Sequence, residues 1–232
     1  MPDTIKRQSP IHDWMEARQS QWPQFEWSQI GAMRVAARVD SDDVERSALA
    51  TLGLCDATGP FKLGLKGPGS EAWLKGQGLD LPAAIYETRR LADGGLIVRL
   101  STDEFLLESG VENQTVAPLV TRLAAHEGVW GVEQQDTTFF LVGPRAIDVL
   151  AQTCGVNFRQ AAEQRLVLTR VAGVSCGVLP ETINPDEKDP IPVFRLWTDP
   201  GLALYLWEQL VEIGDGLGGH VIGARRLFPQ LQ

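Results

Sequence analysis

Three cysteines and three histidines are the metal-ligating and nucleophilic stock of this 232-residue chain. Cys55, Cys154 and Cys176 are an odd number without C-x-x-C spacing, so neither a disulfide framework nor a cysteine-rich zinc site is expected. Cys176 lies in an apolar hairpin pattern and reads as a small buried hydrophobe. His12, His126 and His220 form no H-x-x-x-H or His–Cys pair at ligand spacing, so no metal site is expected. Gly214-Asp215-Gly216-Leu217-Gly218-Gly219 matches G-x-G-x-x-G, but it follows a helical pattern where a dinucleotide loop must follow a strand and open a helix. It reads as a helix-terminating turn. No G-x-S-x-G or G-x-x-x-x-G-K-[ST] occurs, which disfavours familiar hydrolase and P-loop chemistry. Arg225 and Arg226 are open to two readings, a solvated pair or an ion-pair contact to a partner chain.

The balance of 21 Lys+Arg against 30 Asp+Glu gives a formal net charge of −9. An acidic chain lacks the basic face that neutralises phosphates, so nucleic acid is not an expected partner. No stretch is long and apolar enough to read as a membrane span, and the first ten residues lack the apolar run of a secretory signal. A cytoplasmic protein with a protein or small-molecule partner is the expectation.

The elements that must position any site begin after a tryptophan-rich arm. Residues 1–30 carry Trp14, Trp22 and Trp27 in a polar, Pro-broken segment. Rings this large dominate interfaces, so the arm is expected to dock on its own domain or on a partner chain. Gly31-Ala32-Met33-Arg34-Val35-Ala36-Ala37-Arg38-Val39 alternates as a strand. A helix follows, with Asp42 and Glu45 as a variant capping pair, an apolar stripe of Val44, Ala48, Leu49 and Leu52, and Gly53 as its C-terminal cap.

Two later stretches read alike. Phe61-Lys62-Leu63-Gly64-Leu65-Lys66-Gly67-Pro68 leads into a short helix ending at Trp73-Leu74 and then Gly78-Leu79-Asp80-Leu81. Thr138-Phe139-Phe140-Leu141-Val142-Gly143-Pro144 leads into a helix over 146–150 and then Gly155-Val156-Asn157-Phe158. In both, Gly permits a sharp exit from a strand and Pro, lacking a donor, opens a helical turn without loss of a hydrogen bond. Further on, Arg90-Leu91-Ala92-Asp93-Gly94 answers Arg170-Val171-Ala172-Gly173, and Val98-Arg99-Leu100-Ser101-Thr102-Asp103 answers Phe194-Arg195-Leu196-Trp197-Thr198-Asp199. Each copy closes with a helix: 116–126, with Val120, Leu123 and Ala124 inward, and 201–213, with Leu202, Tyr205, Leu206, Leu210 and Ile213 inward. The expectation is an α+β domain over 31–232, in two similar lobes with mostly antiparallel sheets, built on an internal repeat of 61–126 and 138–213. The four prolines of the 180–192 segment predict an exposed loop that cannot pair in a sheet.

Several of these residues resemble the tetrahydrofolate-dependent aminomethyltransferases, the glycine cleavage T-proteins, and within that superfamily the gamma subunit of heterotetrameric sarcosine oxidase. Leu52-Gly53-Leu54-Cys55-Asp56 is similar to the family's "GLFD", Asp103-Glu104-Phe105-Leu106-Leu107 to the gamma subunit's "DEWLL", and the two Gly-Pro turns and Leu206-Trp207-Glu208-Gln209-Leu210 keep the order. The resemblance covers about residues 31–227 and implies two lobes around a pseudo-twofold axis. Three departures stand against transferase activity. Asp93-Gly94-Gly95-Leu96-Ile97-Val98-Arg99 lacks the carboxylate pair of the family's "GGxxDD" turn, which would stabilise an iminium-like transfer state. The "GYTGE" hairpin, whose glutamate helps fix the pterin, falls at Val174-Ser175-Cys176-Gly177-Val178-Leu179 and the proline-rich segment. The sequence stops soon after Gly223-Ala224-Arg225-Arg226, similar to the family's "G-x-x-A-R", without the C-terminal barrel.

The resemblance therefore implies an accessory, gamma-like subunit without catalytic residues of its own, in a heteromeric flavin-dependent enzyme that demethylates an amine, such as sarcosine oxidase or N-methylglutamate dehydrogenase. The flavin would sit on a large partner flavoprotein, and tetrahydrofolate is a ligand that the resemblance allows on this chain. Asp56, Trp197 and Arg225 are the candidates for folate or partner contact, and Trp14, Trp22, Trp27, Asp186 and Asp189 for the partner interface. The alternative is a stand-alone folate-dependent transferase using Asp56, or a folate-binding repair or scaffold protein, whose "KGCYxGQE" motif is not found here.

Overall fold

A computed structural model describes residues 7–123, 127–184 and 190–231. In chain order the elements begin with β1 (Arg7–Gln8), α1 (His12–Arg18), β2 (Glu26–Ile30), β3 (Met33–Arg38), α2 (Asp42–Ala50) and β4 (Gly53–Asp56). Next come β5 (Lys62–Lys66), α3 (Ser70–Gly76), β6 (Thr88–Arg90), β7 (Leu96–Arg99), β8 (Glu104–Glu108), α4 (Val116–Leu123) and β9 (Trp130–Gln134). The rest are β10 (Thr137–Val142), α5 (Ala146–Thr153), β11 (Val167–Val171), β12 (Val174–Ile183), β13 (Ile191–Thr198), α6 (Pro200–Gly216) and β14 (His220–Val221). The chain divides into two units, one within 1–59, 136–163 and 167–232, the other within 60–135 and 164–166.

The smaller unit holds a five-stranded antiparallel sheet in the order β6-β7-β8-β5-β9. Period-two alternation turns Leu63, Leu65, Ile97, Phe105 and Leu107 to one face, where they pack with Trp73 and Leu74 of α3 and Leu119 and Leu123 of α4. On α4 the buried residues are Val116, Leu119 and Leu123, while Val120, expected inward, is 41% exposed, and Ala124 lies outside the described residues.

The larger unit holds a six-stranded sheet, β11-β12-β13-β10-β4-β14, and a small one, β1-β3-β2. Among the described residues, only β14 on β4 and β1 on β3 pair in parallel. One face of the large sheet, with Leu54, Phe139, Leu141, Phe194 and Leu196, buries against Val149 and Leu150 of α5 and Leu206, Trp207 and Leu210 of α6. The inward stripe of α6 is Ala203, Leu206, Trp207, Leu210 and Gly214; Leu202 and Tyr205, expected inward, are about half exposed. Trp207, fully buried against Phe139 and Trp14, sets the rotation of that helix.

The two sheets run through the same series of neighbours, with β6-β7-β8-β5-β9 in one and β11-β12-β13-β10-β4 in the other. Each Gly-Pro turn follows the fourth strand of its row, β5 or β10. Gly67 (φ +137°) and Gly143 (φ +98°) adopt backbone that L side chains rarely reach, and a Cβ there would lie 2.4 Å from the Gly128 carbonyl oxygen or 2.6 Å from that of Thr51. This row corrects one parallel drawn from sequence. Residues 98–103 lie on β7 and its exit, whereas Phe194 to Thr198 belong to β13, whose place is taken by β8 in the other sheet.

Three local expectations also change. Ser41 caps α2, its hydroxyl accepting from the Val44 N–H, while Asp42 is already helical. Gly53 starts β4, packed under the end of the Ile222 side chain, rather than capping α2. The prolines at 180 and 192 lie inside strands, paired in register with Phe194 and Thr182. Pro180 is tolerated because β11 reaches no further than Val178, so its missing N–H faces an unpaired edge.

Candidate functional site

On β13, Arg195 and Trp197 are two residues apart and so share the face of the large sheet turned away from α5 and α6. Register places Phe140 beside Arg195 and Thr138 beside Trp197 on β10, and brings Glu181 of β12 opposite Val193 on the same face. The Arg195 guanidinium donates to Glu181 through Nε (2.7 Å) and Nη2 (3.4 Å), with both side chains over 90% buried. It lies 4.6 Å from the ring of Phe140 and 5.8 Å from that of Trp197. A planar cation between aromatic faces and held by both carboxylate oxygens is the geometry for which arginine is suited and lysine is not.

Electrostatically this is a neutralised site. Glu181 is bound by Arg195, so the face presents an ion pair flanked by the rings of Phe140 and Trp197. Nearby thiols offer no nucleophile: burial pushes Cys55 well above the ordinary thiol range, with the charges of Asp56 and Glu45 adding to it, and burial pushes Cys176 up to about 11.

The residues proposed from sequence are not brought together. Asp56 pairs in register with Phe139, so its side chain lies on the helix side of the sheet, opposite to Trp197. It accepts from the Thr58 N–H (3.1 Å) and hydroxyl (2.5 Å), a turn that fixes the exit from β4. Arg225 donates to Glu26 (2.8 Å) and to the Leu231 carbonyl (3.0 Å). Arg226 donates to Glu45 (2.9 Å) and to Asp42. Both arginines thus have partners within the chain. Glu45, 1% exposed, also accepts from the N–H groups of Val39, Asp40 and Gly223, tying α2 to both flanking segments.

Trp14, Trp22 and Trp27 are half-buried on the core of the larger unit. Trp14 meets Trp207 edge-on at 5.8 Å, Trp22 stacks on Phe25, and Phe25 meets Trp27 edge-on. Asp186 and Asp189 lie outside the described residues. Among the described residues, His12, Asp13 and Glu16 are the one group of potential metal ligands, and two of its three members are exposed carboxylates.

Glu181 is the residue that sequence reading missed. It lies within β12, where the prolines at 180 and 185 on either side of it predict a loop from sequence. In the smaller unit, the Asp93 carboxylate accepts from the N–H groups of Gly95 (3.1 Å) and Thr115 (2.9 Å), joining its turn to the segment before α4.

No family model and no curated protein matches the chain. Solved structures do. Aminomethyltransferase T of the glycine cleavage system from Bartonella henselae is similar at a TM-score of 0.72 and 16% identity, over 95% of this chain and 60% of that one. A chain of heterotetrameric sarcosine oxidase from Corynebacterium sp. U-96, in complex with pyrrole 2-carboxylate, is similar at a TM-score of 0.62 and 19% identity, over 92% of this chain and 97% of that one. The fold is that of the aminomethyltransferase T type, an α+β fold with mostly antiparallel sheets, and this chain spans only 60% of the transferase's length. The same fold serves in the oxidase. No helix among the described residues is long and apolar enough to cross a membrane.

Proposed function

We propose that this chain is an accessory subunit of a heteromeric, flavin-dependent oxidase or dehydrogenase that demethylates a secondary or tertiary amine. The observation that carries the reading is the state of the carboxylates. Glu181 is held by Arg195, and Asp93 by two backbone N–H groups, so neither is poised beside a reacting centre. The near full-length similarity to a sarcosine oxidase chain supports the same reading. In it, the flavin belongs to a large partner subunit in the cytoplasm, and the arm's half-buried tryptophans, with Asp186 and Asp189, add to the contact. The test is reconstitution. The flavoprotein encoded beside this chain is expected to co-purify with it and to lose amine-oxidising activity or stability without it. A flavoprotein that is fully active alone and never binds this chain would overturn the reading.

The alternative, a folate-binding protein or stand-alone transferase, draws on Glu181 and the rings of Phe140 and Trp197. A pterin would need the acceptor oxygens that Arg195 now occupies, so the ion pair would have to open. Calorimetry with tetrahydrofolate separates the two: a Kd below about 10 μM that is lost in Glu181→Gln favours folate binding.

A further inference from the structure

The last strand of the smaller unit's sheet leaves an edge unpaired among the described residues, whereas the corresponding strand of the larger unit's own sheet has a further partner. The Ser109 N–H donates to the Phe61 carbonyl (2.8 Å), and main-chain groups alternate sides along an antiparallel ladder. Leu63 and Leu65 therefore turn theirs to β8, while Gly64 and Lys66 turn theirs to Val132 and Trp130 of β9. Gly131 is left with its N–H and C=O directed off the sheet, and among the described residues no strand pairs with that edge. In the larger unit, β4 holds the same place in the row. There the Leu52 and Leu54 carbonyls accept from the His220 (3.0 Å) and Ile222 (2.9 Å) N–H groups, and Ile222 covers Gly53.

The open edge also has the surface of a contact. Trp130 and Val132, on one side of β9, are 64% and 63% exposed, the two most exposed of the large apolar side chains among the described residues. A groove of about 870 Å³ runs along β9 and α4, with Trp130 and Val132 in its walls together with Phe61, Leu63, Val120 and Leu123. Long exposed apolar edges are normally blunted by charge, proline or a covering element, because they recruit strands. The carboxylates along this groove are Glu127 and Glu133. Two copies meeting edge to edge would bring these acids together in chains that each carry a net charge of −9, so self-association is opposed. A heterologous strand with basic flanks is favoured.

We propose that β9 receives an extended segment of the partner subunit, apolar at alternate positions and flanked by Lys or Arg, which adds to the sheet as β14 adds to β4. The proposal rests on the accessory-subunit reading. It assigns the docking edge to Trp130, Gly131 and Val132, with specificity from the groove and its acidic rim.

The experiment uses the full chain with the flavoprotein encoded beside it. Trp130→Glu and Val132→Glu are expected to weaken the complex at least about tenfold, the loss typical of a central aromatic contact. Leu168→Glu, at a 60% exposed position on the edge strand β11, is the control and is expected to bind normally. Hydrogen exchange in the unmodified complex gives a readout independent of any variant's folding: the Gly131 amide should slow at least about tenfold on binding. Unchanged Gly131 exchange and unchanged affinity in both β9 variants, in a complex that forms, would overturn the β9 assignment and leave the accessory reading standing. Absence of any complex with the unmodified chain would overturn both. Dimerisation of this chain through β9, seen by sedimentation and abolished by Val132→Glu, would overturn the heterologous partner.

Discussion

The two sheets differ most where they are most alike. Both carry a buried ion pair on the face turned away from their own helices, Arg195–Glu181 in the larger unit and Lys62–Glu108 in the smaller. The first is bidentate at 2.7 and 3.4 Å and flanked by two rings; the second is a point contact of 3.6 Å, with side chains 2% and 1% exposed. The positions are not equivalent: Lys62 stands in the row where Thr138 does, and Glu108 where Trp197 does. One architecture thus meets the same requirement, neutral burial of polar groups, with different residues. The edges diverge likewise, since β4 is closed by β14 and β9 has no further strand beside it among the described residues.

The strongest way to break this comparison is to remove one ion from each pair. Arg195→Met leaves Glu181 without its guanidinium and should cost about 3–5 kcal/mol, the usual consequence of breaking a buried pair. Lys62→Met should cost less than Arg195→Met, because its ammonium contacts, 3.6 Å to Glu108 and 3.5 Å to the Pro60 carbonyl, are longer than the 2.7 Å guanidinium bond. The double variant Glu181→Leu/Arg195→Met should recover most of the loss, since both charges leave together. Urea unfolding of the three variants checks the order. A loss under about 1 kcal/mol for Arg195→Met would show that the pair is not the constraint it resembles.

A smaller effect tests the turns that the sheets share. Gly143→Ala and Gly67→Ala force a side chain into positive φ and against a carbonyl oxygen, for a cost of about 1–3 kcal/mol each. Equal losses would sharpen the parallel between the two turns. A much milder Gly67→Ala would show that the Gly128 carbonyl yields where that of Thr51 does not.

These turns were legible in the sequence because only glycine suits such backbone, and the residue type carries the information directly. The α+β class and most strands followed from period-two alternation for a similar reason. Helix faces were harder: Leu202 and Tyr205 on α6 are as apolar as the residues that are buried, and Trp207, in tertiary contact with Phe139 and Trp14, decides the rotation. Strand order was not legible, which is how residues 98–103 came to be matched with a strand one place further along the sheet. The site stayed hidden for the same reason. Arg195 and Glu181 meet only if β12 and β13 are paired through Pro180 and Pro192, and a local reading of proline forbids that. Asp56 drew attention as an acid in a family-like motif, but the parity of β4 turns it to the helix side.

The smallest expected effect belongs to a contact found in one unit only. Arg99, at the end of β7, donates to Glu71 in the first turn of α3 (3.0 Å) and to the Pro82 carbonyl (2.8 Å). In the larger unit the same place in the row, opposite Phe194, is taken by Pro180, which has no charge to offer. The hydrogen bond from Arg99, followed by that from Lys75, lowers the Glu71 carboxyl from 4.5 to about 2. A depressed carboxylate contributes stability that is fully present above its unfolded value of 4.5 and is lost as pH falls towards 2. Glu71→Gln should therefore leave stability at pH 3 closer to that at pH 6 than in the unmodified chain. Glu71 is partly exposed, so the effect should be modest and should shrink further with added salt. Unfolding measured in steps from about pH 6 to pH 2 checks it, with Asp148→Asn at the start of α5 for comparison. Asp148 pairs with Arg145 and Arg159 on the exposed side of its helix, away from any strand-end arginine. If the two variants flatten the acid limb equally, Arg99 holds Glu71 no more firmly than those exposed pairs hold Asp148, and the asymmetry between the units does not extend to their acid response.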